Sequence, residues 1–457
     1  MIARNTALLC LFLLVGIAPA RATDATAGID AGNVPVEITA QSLVISQDEQ
    51  TAVFSGDVVA TQGETRLKSR TMSVRYTNNG QAENTLGGNL EKVVAQGDVV
   101  IETAGQTASA DMAVVEPARS VAELSGNVAL VQGETRFETD RMTIELLPGN
   151  GQNGSTSAIG KVIAPGPVTI ISPGQSATAQ SAIIDMQARI ATLTGDVTVN
   201  SGDGKLTAES MEVAFSSNGQ NGGQVAQDGV RNIVARTNVR LQSGKQLVRA
   251  DTLDIRTQER VAHLSGNVSV SDGPSSLSTA KLRIEYAASQ AGTSAIGGNV
   301  RRVIAPGAIT LRSKDQTVTA ASANIDVPGQ LATLAGNVEV KQGGSRMRTQ
   351  KLLVRFNSGG GSSSLGGGIR QIDAPGKVRL TSSDQVVTAD RAVVRMKEDR
   401  AVLSGNVVLS QGKNVVKGCE LDFNLATQFA SVKKCPDQSG GRVKMLLTPG
   451  KTGAQQQ

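Results

Sequence analysis

Apolar and polar residues alternate along most of the chain, with the two-residue period of a β-strand and no convincing helical period of 3.6. In Ala122-Glu123-Leu124-Ser125-Gly126-Asn127-Val128-Ala129-Leu130, small or apolar side chains take one parity and polar ones the other. The alternation then changes phase: Phe137 and Thr139 share one parity, while Met142, Ile144 and Leu146 share the other. Leu67 and Ser69, followed by Met72, Val74 and Tyr76, repeat the change. A phase change inside a strand run marks a bulge or corner where the chain bends from one sheet to another. The pattern predicts an all-β protein whose strands fold around corners.

The same pattern recurs. The string A-x-[FL]-[STA]-G-[DN]-V occurs at Ala52–Val58, Ala122–Val128, Ala191–Val197, Ala262–Val268, Ala332–Val338 and Ala401–Val407, with successive gaps of 70, 69, 71, 70 and 69 residues. A related string lies between the copies, at Val93–Val99, Val162–Val168, Ile233–Val239, Val303–Ile309 and Ile372–Val378. Six copies in this register define a repeat architecture of units with two halves each. Glycine-rich connections occur once per unit, at Asn78–Asn89, Gly149–Gly160, Ser216–Gly229, Ser289–Asn299 and Asn357–Gly368, and read as solvated loops on one side of a stack. About eight short strands per unit, divided over two sheets with strands about 4.8 Å apart, give an expected length on the order of 100 Å.

The first residues set the expected compartment. Arg4 precedes a short apolar run, Ala7 to Ala18, and Ala20-Arg21-Ala22 has the A-x-A form of a signal-peptidase site. Residues 1–22 are read as a removed secretory signal peptide, 23–35 as a linker, 36–447 as the β-repeat region and 448–457 as a disordered tail. The mature chain is then an exported protein. Removing two arginines leaves 43 basic and 40 acidic residues, a net charge of +3. That charge does not make a phosphate-binding surface. There is no Trp, and two Tyr and seven Phe offer little for stacking on bases, so nucleic acid is excluded as a partner. The same scarcity of aromatics suits a stack of thin similar layers, which needs no large aromatic core.

Candidate chemistry is sparse. His263 is the only histidine and occupies a position held by Val53, Glu123, Thr192, Thr333 and Val402 in the other copies, on the polar parity. The mature chain lacks the His and Cys of common nucleophile or metal constellations, and no carboxylate pair recurs at corresponding positions, so no enzyme, cofactor or metal is expected. No P-loop is present to supply energy. Asp57, Asn127, Asp196, Asn267, Asn337 and Asn406 recur beside glycine, where left-handed bulge or turn chemistry explains them. Cys419 and Cys435 flank a hairpin around Ala426-Thr427-Gln428 and are expected to form a disulfide in an oxidising compartment. Closing that loop of roughly 15 residues contributes about 3 kcal/mol.

The L-S-G-N-V strings, each followed by a Q-G turn such as Val131-Gln132-Gly133 and a strand ending like Met142-Thr143-Ile144-Glu145-Leu146, resemble the organic solvent tolerance (OstA-like) family. These include the LptA-like periplasmic lipopolysaccharide-transport bridge proteins. The resemblance covers roughly 36–447, and the chain departs from it by being much longer than usual. It implies a folded-over antiparallel sheet, a β-taco or jellyroll, whose apolar groove carries lipopolysaccharide acyl chains through the periplasm. The partners it implies are an inner-membrane transporter and an outer-membrane translocon, met by edge-strand pairing at about Val36–Ile45 and Gly441–Leu447.

The groove-lining positions expected from the alternation are Phe54, Val58, Leu67, Met72, Val74, Leu124, Val128, Phe137, Ile144, Leu193, Val197, Leu264, Val268, Leu334, Val338, Leu403 and Val407. Arg66, Lys68, Arg70, Glu123, Glu138 and Arg400 fall on the other parity. Alternation does not distinguish an open trough from a closed, filled core. A structural or adhesive cell-surface β-solenoid therefore stands beside the lipid carrier. A carbohydrate-active solenoid enzyme would need clustered carboxylates on one outer face.

Overall fold

The computed structural model describes residues 36–63, 65–77, 89–103, 105–146, 159–202, 204–215, 230–287, 300–357, 369–383, 385–427, 429–434 and 442–447. The expected signal peptide, linker and tail lie outside these residues, as does most of each glycine-rich connection. Asn89 and Gly160, placed in connections by the sequence pattern, belong instead to the strands Asn89–Thr103 and Ile159–Ala164.

Among the described residues, thirty strands form one continuous antiparallel sheet in which each long strand pairs with the next along the chain. Eighteen rungs are single strands and six are divided in two, so the stack has twenty-four rungs. A repeat contains four rungs of 11 to 15 residues, for example Thr51–Gln62, Thr65–Thr77, Asn89–Thr103 and Gln106–Glu116. The expected eight short strands per unit are these four rungs, each bent near its middle. Pairing continues on both sides of the bend, so the strand is folded rather than interrupted.

The bend is built by Gly-Asx. In Thr51–Gln62 the register with its neighbour runs Ser55↔Thr71 and then Val58↔Ser69, so Gly56 and Asp57 stand opposite Arg70 alone. The same two-against-one bulge places Gly126-Asn127, Gly195-Asp196, Gly266-Asn267, Gly336-Asn337 and Gly405-Asn406 at the corners of the other copies. Both residues of each pair are left-handed, with φ 80° at Gly195 and 47° at Asp196, a conformation that glycine adopts freely and Asn or Asp tolerates. The half-repeats turn the same corner with other residues: Gly97-Asp98, or Thr237-Asn238 at φ 64° and 55°. At the corners Pro165-Gly166-Pro167 and Pro306-Gly307 the rung is divided into Ile159–Ala164 and Val168–Ser172, and into Val300–Ala305 and Ile309–Ser313, whereas the Pro375-Gly376 corner stays within the single strand Ile369–Ser382.

Five of the six Gly-Asx corners are latched by a polar pair sixteen residues apart, and at Gly336-Asn337 the partner position is Ala321. Gln41 Nε2 donates to Asp57 Oδ2 at 2.8 Å, Asn127 Nδ2 to Asp111 Oδ2 at 3.0 Å, Gln180 Nε2 to Asp196 Oδ2 at 2.7 Å and Asn406 Nδ2 to Asp390 Oδ2 at 2.7 Å. The amide alternates between the two members of the pair, and two carboxylates never meet. The latch lies on the outer side of the bend, directly over the corner glycine.

Ion pairs fasten the last rungs. Arg400 grips Asp422 through Nε and a terminal nitrogen at 2.8 and 2.6 Å, and Lys433 reaches Glu420 at 2.7 Å. The hydrogen bond from Arg400 holds the Asp422 carboxyl below its ordinary range, and the one to Glu420 holds Lys433 above its own. A depressed carboxyl contributes above its unfolded pKa, here the ordinary 3.8, and is lost as pH falls through the folded value. The thermal-midpoint gap between wild type and Asp422→Asn is therefore expected at pH 7 and expected to close as pH drops below that range. A gap that stays constant with pH would show the charge to be irrelevant.

Candidate functional site

Bending every rung at its middle turns the sheet into two facing arms. One arm ends in the tight two-residue turns and the other in the long connections. The side chains between the arms form one core cluster extending from Val58 to Leu421. Aliphatic residues dominate it, and a residue buried there removes about 25 cal/mol per Å² of apolar surface from water.

All seventeen sequence-predicted groove residues face this interior. Val58, Leu67, Met72, Leu124, Val128, Phe137, Leu193, Val197, Leu264, Val268, Leu334, Val338, Leu403 and Val407 are buried in the cluster. Phe54, Val74 and Ile144 are half-buried and pack against it. The alternation also applies to the half-repeats, which supply equally buried residues the prediction did not name, among them Ile170, Leu206, Met211, Ile233 and Ile309. Arg66, Lys68, Arg70 and Glu138 stand on the outer face, where Lys68 pairs with Glu102 at 2.8 Å and Arg70 with Asp98 at 2.9 Å. The Lys68 hydrogen bond holds the Glu102 carboxyl below the ordinary range.

The interior is not equally closed along its length. Two residues before the tight turns, Ile170 and Val199 of the central repeat are 1% and 2% exposed. Their counterparts Ile101, Leu130, Leu241, Val270, Leu311, Val340 and Leu380 are only half-buried. A cleft between the arms in the first repeats is lined by Leu67, Ile101 and Leu130 on the turn arm and by Val115, Leu124 and Ile144 on the other. It offers about 80 Å³, below the ~300–1,000 Å³ typical of small-molecule sites. Lipid-sized occupancy requires the arms to part.

His263 lies on the outer face, in register between Asp254 and Arg283. Among the described residues no group of three or more His, Cys, Asp or Glu is placed to hold a metal ion, and no helix is long and apolar enough to cross a membrane. Cys419 is disulfide-bonded, and its expected partner Cys435 lies outside the described residues.

Comparison with known proteins agrees with this architecture. An uncharacterized protein of Rhizobium meliloti is 36% identical over 141 residues, 30% of this chain and 74% of the relative. Among solved structures, the crystal structure of LptH from Pseudomonas aeruginosa, described as the LptA homologous periplasmic component of the lipopolysaccharide transport device, shares 22% identity. The match covers 24% of this chain and 76% of that one with a TM-score of 0.21, too low to support any argument about shape. The family of LptA/(LptD N-terminal domain) LPS transport proteins matches four overlapping or successive stretches, residues 37–149, 107–189, 176–290 and 317–429. With most of its length matched by a family whose pattern repeats along it, the chain belongs to the LptA/(LptD N-terminal domain) LPS transport proteins, as a long multi-repeat β-jellyroll.

Proposed function

We propose that this protein is a periplasmic carrier that holds the acyl chains of lipopolysaccharide between its two arms. It passes them from an inner-membrane transporter toward an outer-membrane translocon. The observation that supports this most is the continuity of the apolar interior, which no repeat boundary interrupts. Each buried methylene of an acyl chain gains about 0.8 kcal/mol without any directional contact, so an aliphatic trough retains a lipid and still lets it slide. Twenty-four rungs at about 4.8 Å give a path on the order of 110 Å. Among the described residues both ends are open: the strand Ser42–Ser46 exposes Leu43, Val44 and Ile45, and the last strand leaves Met445 and Leu446 exposed. Such edges can take up a partner's strand and extend the sheet. The pairing of Cys419 with Cys435 would brace the last of them.

The tight central repeat favours a second reading, a structural or adhesive solenoid whose core is simply filled. Photoreactive residues placed in cells at Leu124, Leu264 and the half-buried Leu130 and Leu380 separate the two. The carrier reading expects lipopolysaccharide crosslinked at several of these positions. Absence of capture at all four would leave the solenoid.

A further inference from the structure

The two lips of the trough differ in chemistry. Among the described residues, eleven two-residue turns close the hairpins of one arm, and the residues flanking each turn lie on the inward parity, half-buried or buried in the first repeats and exposed at Ser313, Gln342, Ser345, Ser382, Gln385 and Gln411. In the first repeats these are Gln62 opposite Thr65, Thr103 opposite Gln106, and Gln132 opposite Thr135. The ladder continues to the last turn, Gln411 opposite Asn414. Of its 22 positions, all carry a hydroxyl or an amide except Gly204 and Asp272. Gln106, Gln175, Gln246, Gln316 and Gln385 recur at one site in five successive units, and Gln106 and Gln316 each stand directly opposite another glutamine, Gln132 and Gln342.

Turn chemistry alone does not account for this. One residue further from the turns, on the outward parity, Arg66, Glu102, Arg136, Lys205, Arg312 and Lys341 carry charge. Charge is thus accepted beside the turns on the outside and nearly absent on the inside. Hydrogen bonds within the ladder include Thr135 with Ser172 at 2.9 Å, Gln246 with Asp272 at 3.3 Å and Ser345 with Ser382 at 3.0 Å. They do not exhaust it: Gln175 Oε1 is buried without a partner.

The opposite lip is apolar. At or within one residue of the end of every fourth rung there stands Tyr76, Leu146, Phe215, Tyr286, Phe356 or Leu425, one per unit, and Phe215, Tyr286 and Phe356 pack onto the core. The Tyr286 hydroxyl is buried and also unpartnered. Buried polar atoms are normally hydrogen-bonded, so the unpartnered Gln175 acceptor marks a place on the turn-side lip where a ligand's polar group would go.

Resting on the carrier reading, we infer that the turn-side ladder is a hydrogen-bonding rail for the uncharged polar part of a glycolipid, its sugar hydroxyls and amide or ester groups, while the tails lie toward the aromatic lip. Neighbouring rungs are about 4.8 Å apart, so along most of the row the next hydroxyl or amide is within reach before the last is released. Each site is individually weak, which suits movement along the row.

The test compares two ligands with the same twelve-carbon tail, dodecyl maltoside and laurate, both kept below micelle formation. Each displaces a fluorescent fatty acid from the full mature protein. Wild type is expected to favour the maltoside by about tenfold, the scale of one net hydrogen bond. In Gln106→Met/Gln132→Met/Gln175→Met, and more weakly in Gln175→Met alone, the preference falls toward parity while laurate binding stays within about twofold, as expected for a nearly volume-conserving swap. A wild type without preference overturns the rail, whatever the variants do. So does a preference that survives in the variants, and the trough then stands. If neither ligand displaces the probe, the carrier reading fails and the rail with it.

Discussion

Gly195→Ala is expected to lower stability by about 2–5 kcal/mol, and Gly174→Ala by only about 1–2 kcal/mol. Both glycines are left-handed, at φ 80° and 73°, so both substitutions carry the same backbone penalty. Only one carries a steric penalty. A Cβ at Gly195 would lie 2.7 Å from Cβ of Gln180 and 2.5 Å from its Oε1, while at Gly174 nothing lies within 4 Å. Because two Cβ atoms collide, rotating the Gln180 side chain does not relieve the contact. The strands must separate, and the corner they share carries Leu193 and Val197, both buried. The Gln180–Asp196 latch is lost as well. Thermal unfolding of the three proteins checks the ranking, and Gln180→Gly in the Gly195→Ala background should restore part of the loss. Equal destabilisation by the two alanine variants would mean that the latch crossing the glycine is irrelevant to the corner.

That comparison also marks where the sequence stopped being informative. The corner itself was legible, because a glycine followed by Asp or Asn at six matching positions, together with a change of strand phase, has few other causes. Its latch was not. The partner sixteen residues earlier is Gln41, Asp111, Gln180, Asp251, Ala321 or Asp390, and that variation shows no pattern until the register brings it over the glycine. The inward set from Phe54 to Val407 was readable from parity alone, because one face of a bent strand must be dry. The bend kept that parity readable and disguised the strand count: a bulge that preserves pairing on both sides looks, in sequence, like the end of one strand and the start of another. The ladder of glutamines was hidden for a similar reason. Each glutamine beside a Q-G or similar turn reads as a solvated turn residue, and only pairing across neighbouring rungs aligns them on one inward lip.

Whether the interior is a path or a filling depends on the half-buried positions, because these are where the arms part with least loss of packing. Leu241→Glu/Val270→Glu is expected to reduce crosslinking of lipopolysaccharide at Leu264 more than tenfold while costing no more than about 1–3 kcal/mol of stability. Leu241 and Val270 both stand in register opposite Val248, on the two rungs that flank it in the turn arm. A carboxylate at either site can reach water at the lip, so the fold tolerates it. An acyl chain passing the same point would have to strip that water away. Ser269→Glu places the charge on the outward parity of the same strand and should leave capture unchanged. If the double variant captures as well as wild type, lipid reaching Leu264 has not passed between the arms. If it unfolds as severely as a charge buried beside Ile170 would, these positions are core rather than lip. The carrier reading requires the intermediate result, a protein that stays folded and no longer holds the lipid.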